Sequence, residues 1–222
     1  MTLLDYPGKV ACTLFTAGCN FRCPFCHNAS LVTHIDNDLG YTEPEVLAYL
    51  KKRIGLLDGV CITGGEPLLQ PDITEFIDKI KQIGYFVKLD TNGCFPEKLA
   101  ELVDRGLLDY VAMDIKNSKS KYGMSVGIPD FDISNIEKSV AFLMNGKVDF
   151  EFRTTVVKEL HTEQDIQDIG EWIKGAPRYF LQNFVDSGDL IGEGLSPVES
   201  DVLCNMQQIA SRFVGNTEIR GL

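Results

Sequence analysis

Short apolar segments alternate with amphipathic segments along most of the chain. The apolar segments have the length of single strands, and the segments between them carry apolar residues at helical spacing, begin at Thr, Asp, Pro or Ser, and often end at Gly. This pattern predicts six strands, at about 10–17, 59–63, 86–90, 109–114, 149–157 and 179–184. It predicts a helix after each of them, at about 42–54, 72–83, 96–105, 134–146, 162–173 and 198–213.

Repeated strand-then-helix units favour a parallel sheet with right-handed crossover connections. Because eight such units complete a TIM-type barrel, six predict an α/β fold in the form of a partial, laterally open (β/α)6 barrel with parallel strands. A doubly wound sheet is the other arrangement that the pattern allows. The length of 222 residues predicts a single domain over 1–222.

Composition and charge exclude several classes of protein. The content of 44% hydrophobic and 24% charged residues is that of an ordinary globular protein. No apolar stretch reaches the ~20 residues of a membrane span, and the first residues lack the profile of a secretory signal, so we expect a cytoplasmic location and no membrane partner. The net charge of -11 would repel a phosphate backbone, which argues against nucleic acid as a partner.

Three of the seven cysteines lie within eight residues, with the spacing C-x3-C-x2-C. Three thiolates can converge in such a loop, as an iron–sulfur cluster requires, and a cluster of four irons would keep one iron open. A zinc site that adds His27 is an alternative, although His27 directly follows Cys26 and adjacent residues rarely share one tetrahedral site. The motif cysteines are Cys19, Cys23 and Cys26.

The remaining cysteines and one histidine are expected to have ordinary structural roles. Free cysteine commonly behaves as a small buried apolar residue. We predict this for Cys12, Cys61, Cys94 and Cys204, and a surface position for His34.

The cysteine motif is followed by Gly-Gly-Glu-Pro, Asp-Thr-Asn-Gly and Met-Asp-Ile-Lys, and together these resemble the radical S-adenosylmethionine (SAM) enzymes. More narrowly, they resemble the activating enzymes of glycyl-radical enzymes. Residues 5–9 and 15–28 are similar to those of anaerobic ribonucleoside-triphosphate reductase activating proteins. The resemblance implies one 4Fe-4S cluster in loop 18–30, bound by the three motif cysteines, with SAM on the fourth iron. An electron from the cluster would cleave SAM into methionine and a 5'-deoxyadenosyl radical.

The motifs that follow the second and third strands suit contacts with SAM. Gly64 and Gly65 allow a close backbone approach, and Glu66 offers a carboxylate to the cofactor's ammonium group. Asp90 and Asn92 can hydrogen-bond the ribose and the amino acid end. A tight turn and a helix-capping Asx turn are the structural alternatives for these two motifs.

Other cofactor contacts are implied by the resemblance alone. Phe25 and Val156 match positions near adenine, and His161 is a candidate polar contact, with core packing and helix capping as the alternatives for the last two. In pyruvate formate-lyase activating enzyme, which this region resembles, the aspartates matching Asp90 and Asp114 help to hold a monovalent cation. Lys116 is an alternative neutralising group for the same cofactor carboxylate, or a solvated loop lysine.

The function implied by this resemblance is removal of a hydrogen atom from a glycine α-carbon of a partner glycyl-radical enzyme. Anaerobic ribonucleotide reductase is the expected partner, and a flavodoxin or ferredoxin-type protein the expected electron donor. The irregular segment 116–132, with Lys119, Lys121 and Tyr122, is a candidate for gripping the partner's loop. The alternatives are a radical SAM enzyme of small-molecule metabolism, resembling 7-carboxy-7-deazaguanine synthase, and a zinc-binding interaction module.

Overall fold

Seven strands form one sheet in the residues described by the computed structural model, which are 2, 4–33, 35 and 40–220. The strands lie side by side in chain order, and every neighbouring pair is parallel. They are β1 (Ala11–Thr16), β2 (Gly59–Gly64), β3 (Phe86–Thr91), β4 (Tyr110–Asp114), β5 (Asp149–Val156), β6 (Tyr179–Asn183) and β7 (Thr217–Arg220).

The strand order distinguishes between the two predicted arrangements. A doubly wound sheet reverses its order at a switch point, whereas this sheet runs from β1 to β7 without reversal. Within the described residues β1 and β7 do not pair with each other, so the sheet stays open at its side. The predicted partial, laterally open parallel barrel is therefore confirmed, and the doubly wound alternative is wrong.

The prediction of six strands misses β7. This strand has the sequence Thr-Glu-Ile-Arg, and it lacks the apolar run by which the other six were predicted. Its place in the sheet depends on tertiary contacts, since the Arg220 guanidinium reaches Glu151 of β5 at 2.8 Å. A short helix at Ala29–Thr33, in the stretch predicted as loop, was also missed.

Eight helices of at least four residues connect the strands in the described part of the chain. The predicted start of the second is confirmed, because the Thr42 N–H donates to Glu45 Oε2 at 2.8 Å. The helices are α1 (Ala29–Thr33), α2 (Glu43–Lys51), α3 (Ile73–Ile83), α4 (Pro96–Asp104), α5 (Tyr122–Ser125), α6 (Ser134–Met144), α7 (Glu163–Trp172) and α8 (Ser200–Ser211). None of them is both long enough and apolar enough to cross a lipid bilayer.

The two faces of the sheet differ in polarity because strand side chains alternate between them. One face is apolar and packs against the helices; its fully buried residues include Val60, Ile62, Val87, Leu89 and Val111. The other face carries charged side chains, and the strand register aligns them, as with Asp114 of β4 and Arg153 of β5. This polar inner face leads up to the strand ends where the predicted site lies.

Candidate functional site

The three motif cysteines line one cavity of about 410 Å³ at the carboxyl ends of the strands. Their loop follows β1 and turns tightly, with the Cys26 N–H donating to the Cys23 carbonyl at 3.1 Å and the Phe21 N–H donating to Cys19 Sγ at 3.4 Å. Burial raises the pKa of Cys23 to about 12, and it also raises that of Cys19. Without a positive centre these two thiols stay protonated, and a bound metal would release their protons.

The donor set fits an iron–sulfur cluster better than it fits a single ion. In the described residues no three His, Cys, Asp or Glu side chains converge closely enough to hold one metal ion, so the geometry gives no support to a zinc site with His27. A cluster does not require that convergence, because each cysteine binds a different iron. Three soft thiolate donors on one loop, facing a polar cavity, are what such a cluster needs.

The glycine pair at the end of β2 lies against the backbone that leads into the cysteine loop. The Gly65 N–H donates to the Thr16 carbonyl and the Glu66 N–H donates to the Gly18 carbonyl, both at 2.8 Å. A Cβ on Gly65 would lie 1.9 Å from the Gly18 carbonyl oxygen, and Gly64 has a φ of +110°. Both glycines line the cavity, and the close approach that they permit is to the backbone of the cysteine loop.

Glu66 lies behind the cavity lining and is fully buried. Its carboxylate accepts hydrogen bonds from Thr91 Oγ1 at 2.8 Å, the Asn92 N–H at 2.7 Å and the Leu68 N–H at 3.1 Å. Burial raises its pKa to about 7 despite these donors. Glu66 positions Asn92 through these bonds, and its contact with the cofactor's ammonium group stays a prediction.

Asn92 connects the turn after β3 to the cysteine loop and lines the cavity. Its Nδ2 lies 2.9 Å from Asn20 Oδ1 and 3.9 Å from Cys19 Sγ, and its Oδ1 accepts from the Cys94 N–H at 2.9 Å. The last bond is the Asx turn that the sequence offered as the structural alternative. The side chain therefore caps a turn and at the same time contacts a motif cysteine.

Asp90 and Asp114 line the cavity and belong to one buried ionic network. Arg153 bridges them, with Nη1 donating to Asp90 at 3.0 Å and Nε donating to Asp114 at 2.9 Å. Lys116 Nζ donates to the other oxygen of Asp114 at 2.9 Å, and Lys88 pairs with Asp90. Burial disfavours the charged form of Asp114, but Arg153 and Lys116 outweigh it and hold the pKa at about 2.

Sequence reasoning assigned no role to Arg153 or Lys88. Lys88 and Asp90 stand two residues apart and so share a strand face, which was a signal available in the sequence. Arg153 carries no local signal, because its position opposite Asp114 comes from the pairing of β4 with β5.

Phe25 reaches the cavity, whereas Val156 and His161 lie outside its lining. The His161 ring is buried; its Nδ1 accepts from the Val157 N–H at 3.1 Å, and its Nε2 lies 2.9 Å from the Lys116 carbonyl. Its ring packs edge-on against that of Phe25, and burial lowers its pKa. Val156 is fully buried. In this structure His161 contacts Phe25 and Lys116 of the cavity lining, and Val156 belongs to the buried core.

Segment 116–132 packs against the cysteine loop with some of its residues and is exposed at others, such as Lys119 and Met124, so its role in gripping a partner stays a prediction. Tyr122 is buried, and Lys121 and Lys119 pair with Asp165 and Glu137. The segment contacts the loop directly at two places. The Arg22 N–H donates to the Val126 carbonyl at 3.0 Å, and the rings of Phe21 and Phe131 meet edge-on at 5.2 Å. The expectation for Tyr122 is therefore wrong, because the ring fills the core beneath the loop.

The cysteines outside the motif are free thiols. As predicted, Cys12, Cys61 and Cys94 are buried, while Cys204 on α8 is half-buried. His34 lies outside the described residues.

The family described as the radical SAM superfamily matches residues 13–173. A Methanocaldococcus jannaschii protein, provisionally named a glycyl-radical enzyme activating enzyme, is 34% identical over 226 residues, which cover 99% of this chain and 92% of that protein. A Thermococcus kodakarensis protein, provisionally named a GTP 3',8-cyclase, is 31% identical over 71% of this chain and 50% of its own length. A 7-carboxy-7-deazaguanine synthase of Methanopyrus kandleri is 31% identical over 45% of this chain and 46% of its own length.

Two solved structures share the fold. Streptococcus suis SuiB bound to S-adenosylmethionine superposes with a TM-score of 0.76 and 14% identity, over 98% of this chain and 51% of that chain. A domain of pyruvate-formate lyase-activating enzyme from Bacteroides vulgatus gives 0.60 and 20% identity, over 73% and 99%. The family match includes the three motif cysteines and the two cavity aspartates. This chain therefore belongs to the radical SAM superfamily.

Proposed function

We propose that this protein is an activase that removes a hydrogen atom from the α-carbon of one glycine in a partner glycyl-radical enzyme. The observation that carries the proposal is the 34% identity to the Methanocaldococcus jannaschii protein named for this activity, because it extends over 99% of this chain and 92% of the relative. The matches to the Thermococcus kodakarensis and Methanopyrus kandleri proteins cover about half of each of those two relatives.

Radical SAM enzymes use a 4Fe-4S cluster and SAM, and when bound these supply the one-electron chemistry that removes a hydrogen atom. The chain's own residues bind and shield them. Cys19, Cys23 and Cys26 would ligate the cluster, and the cavity beside them would receive SAM. Asn92 lies against Cys19 and, with the glycine turn, fixes the loop, while Phe25 and Lys116 line the wall.

The open side of the barrel supports a peptide substrate. The sheet does not close between β1 and β7 within the described residues, which leaves a lateral entrance to the inner face. Phe15 on β1 is exposed there. Farther along the cavity, the Thr155 and Gln182 side chains make no hydrogen bond to any described residue, so both are available to the amide groups of an inserted backbone.

The proposal includes partners and setting. Anaerobic ribonucleotide reductase is the proposed target, and a flavodoxin or a ferredoxin-type protein is the proposed electron donor. The proposed working unit is the single domain expected over residues 1–222, in a reducing cytoplasm that keeps thiols free for the cluster.

The deciding experiment follows the hydrogen atom. Protein purified without oxygen is reduced with dithionite and mixed with SAM and a candidate partner that contains α-deuterated glycine. The proposal expects one deuterium in the 5'-deoxyadenosine product and an organic radical on the partner in electron spin resonance. A partner with the target glycine replaced by alanine is the control, and it should give neither signal.

A second candidate function is modification of a small molecule, and the partial match to 7-carboxy-7-deazaguanine synthase favours it. The same assay distinguishes the two candidates. If no glycyl-radical enzyme accepts a radical, and a small pterin or purine substrate instead raises the yield of 5'-deoxyadenosine, the activase proposal is wrong.

A further inference from the structure

The two aspartates that, by resemblance, would hold a monovalent cation are already paired with cationic side chains. Asp90 uses one oxygen for Lys88 and the other for Arg153 at 3.0 Å. Asp114 uses one oxygen for Arg153 and the other for Lys116, both at 2.9 Å. Each of the four carboxylate oxygens therefore accepts from a charged donor, and Na⁺ or K⁺ does not fit between them without breaking ion pairs.

The cations of this network outnumber its anions. Lys88, Arg153 and Lys116 are 2%, 14% and 17% exposed, and they face two carboxylates. Arg153 and Lys116 line the cavity, whereas Lys88 does not. Of the further carboxylates, Glu66 lies behind the lining and is held by neutral donors, and Glu151 is paired with Arg220. Asp5 lines the cavity and accepts a hydrogen bond from the Thr13 hydroxyl. Counted over its ion pairs, the network thus carries one cation more than carboxylates, at a cavity that Asp5 also lines.

The pairing of the strands brings Arg153 to both aspartates. Its register partner on β4 is Asp114, and Asp90 stands on the next strand, β3. A guanidinium has donors in a rigid planar fork and spans both carboxylates, while an ammonium is a point charge and cannot replace it. The bridge crosses three strands and lines the same cavity as the motif cysteines.

We propose that Arg153, together with Lys116, does in this protein what a bound monovalent cation would do. The two side chains hold Asp90 and Asp114 in place and offer their excess positive charge to the carboxylate of SAM. Binding of the cofactor then needs no added Na⁺ or K⁺. The inference rests on membership of the radical SAM superfamily and is independent of which substrate loses the hydrogen atom.

The test measures SAM affinity in cluster-loaded protein, without any partner. At constant ionic strength, with tetramethylammonium chloride exchanged for KCl or NaCl, the dissociation constant of the wild type should stay within about twofold. Arg153→Ala should weaken SAM binding roughly 10- to 100-fold, the usual effect of losing hydrogen bonds to a charged group. K⁺ or free guanidinium should restore part of this loss, because either can enter the space between the two carboxylates.

Arg220→Ala is the matched control, because it removes an arginine from the same sheet face but outside the cavity lining. It should leave SAM affinity unchanged. Wild-type affinity that rises several-fold with K⁺, or an Arg153→Ala protein that binds SAM as tightly as the wild type, would overturn the inference. The wild-type titration requires no variant, so the test stands even if Arg153→Ala fails to fold. Failure here would leave the glycyl-radical activity untouched, since the deuterium assay measures that separately.

Discussion

Two charged clusters share the inner face of the sheet, and they differ in what surrounds them. The upper cluster, which joins Lys88, Asp90, Asp114, Lys116 and Arg153, reaches the cavity and has more cations than anions. The lower cluster is built on Glu151, which is fully buried and accepts from Arg220 at 2.8 Å and from the Tyr110 hydroxyl at 2.8 Å. None of its members lines the cavity.

The comparison shows that burial of charge does not by itself mark a functional site. The carboxylate of Glu151 is matched by one guanidinium, which also stacks on the Phe180 ring at 3.4 Å. Such a closed pair is part of the scaffold. The upper cluster has one cation more than carboxylates in its ion pairs, and it reaches a cavity beside three cysteines. We propose a ligand-binding role for the upper cluster because of this asymmetry.

The largest effect should come from a substitution that removes activity and leaves the scaffold intact. Cys23→Ser removes one cluster ligand, and we expect SAM cleavage to fall below about 1% of wild type, since changes even outside the ligand set cost 10- to 100-fold. The measurements are iron and sulfide content and the 5'-deoxyadenosine yield under dithionite. Cys204→Ser, on α8 and away from the cavity, is the control and should keep both. Full cleavage by the Cys23 variant would contradict the ligand assignment.

The second effect is the opposite one: the variant should lose stability and keep its affinity for SAM. Arg220→Ala leaves Glu151 buried without its guanidinium, which should cost about 3 kcal/mol of unfolding free energy, the lower end for a broken buried pair because Arg220 is partly exposed. Urea unfolding of the metal-free protein measures it. Adding Glu151→Gln should recover part of the loss, since the uncompensated charge is then gone. A stable Arg220 variant would show that the lower cluster is not structural.

The sequence predicted which residues line the cavity better than it predicted the ion pairs and hydrogen bonds among them. The cysteine spacing and the glycine turn are local patterns, and both residue sets line the cavity as expected. Arg153 and Arg220 carry no local signal, because each is brought to its carboxylate by strand pairing. Glu66 shows the same limit. Its place after the glycine turn was evident, but the backbone donors that bind its carboxylate come from another strand's turn.

The smallest effect concerns how the upper cluster responds to acid. The pKa of Asp114 is lowered from its ordinary 3.8 to about 2, so this carboxylate stabilises the folded state above about pH 4 and loses that contribution as pH falls towards 2. The expected loss is about 2 kcal/mol. It is measured as the difference in unfolding free energy between wild type and Asp114→Asn, in metal-free protein, from pH 6 to pH 2. The variant, which has no titrating group at this position, should be the less stable protein at pH 6, and the difference in unfolding free energy should narrow as the wild type is protonated.

A difference that stays constant down to pH 2 would mean that the bonds from Arg153 and Lys116 do not favour the charged form of Asp114. In that case the response to acid would not distinguish the upper cluster from the closed ion pair of the lower cluster.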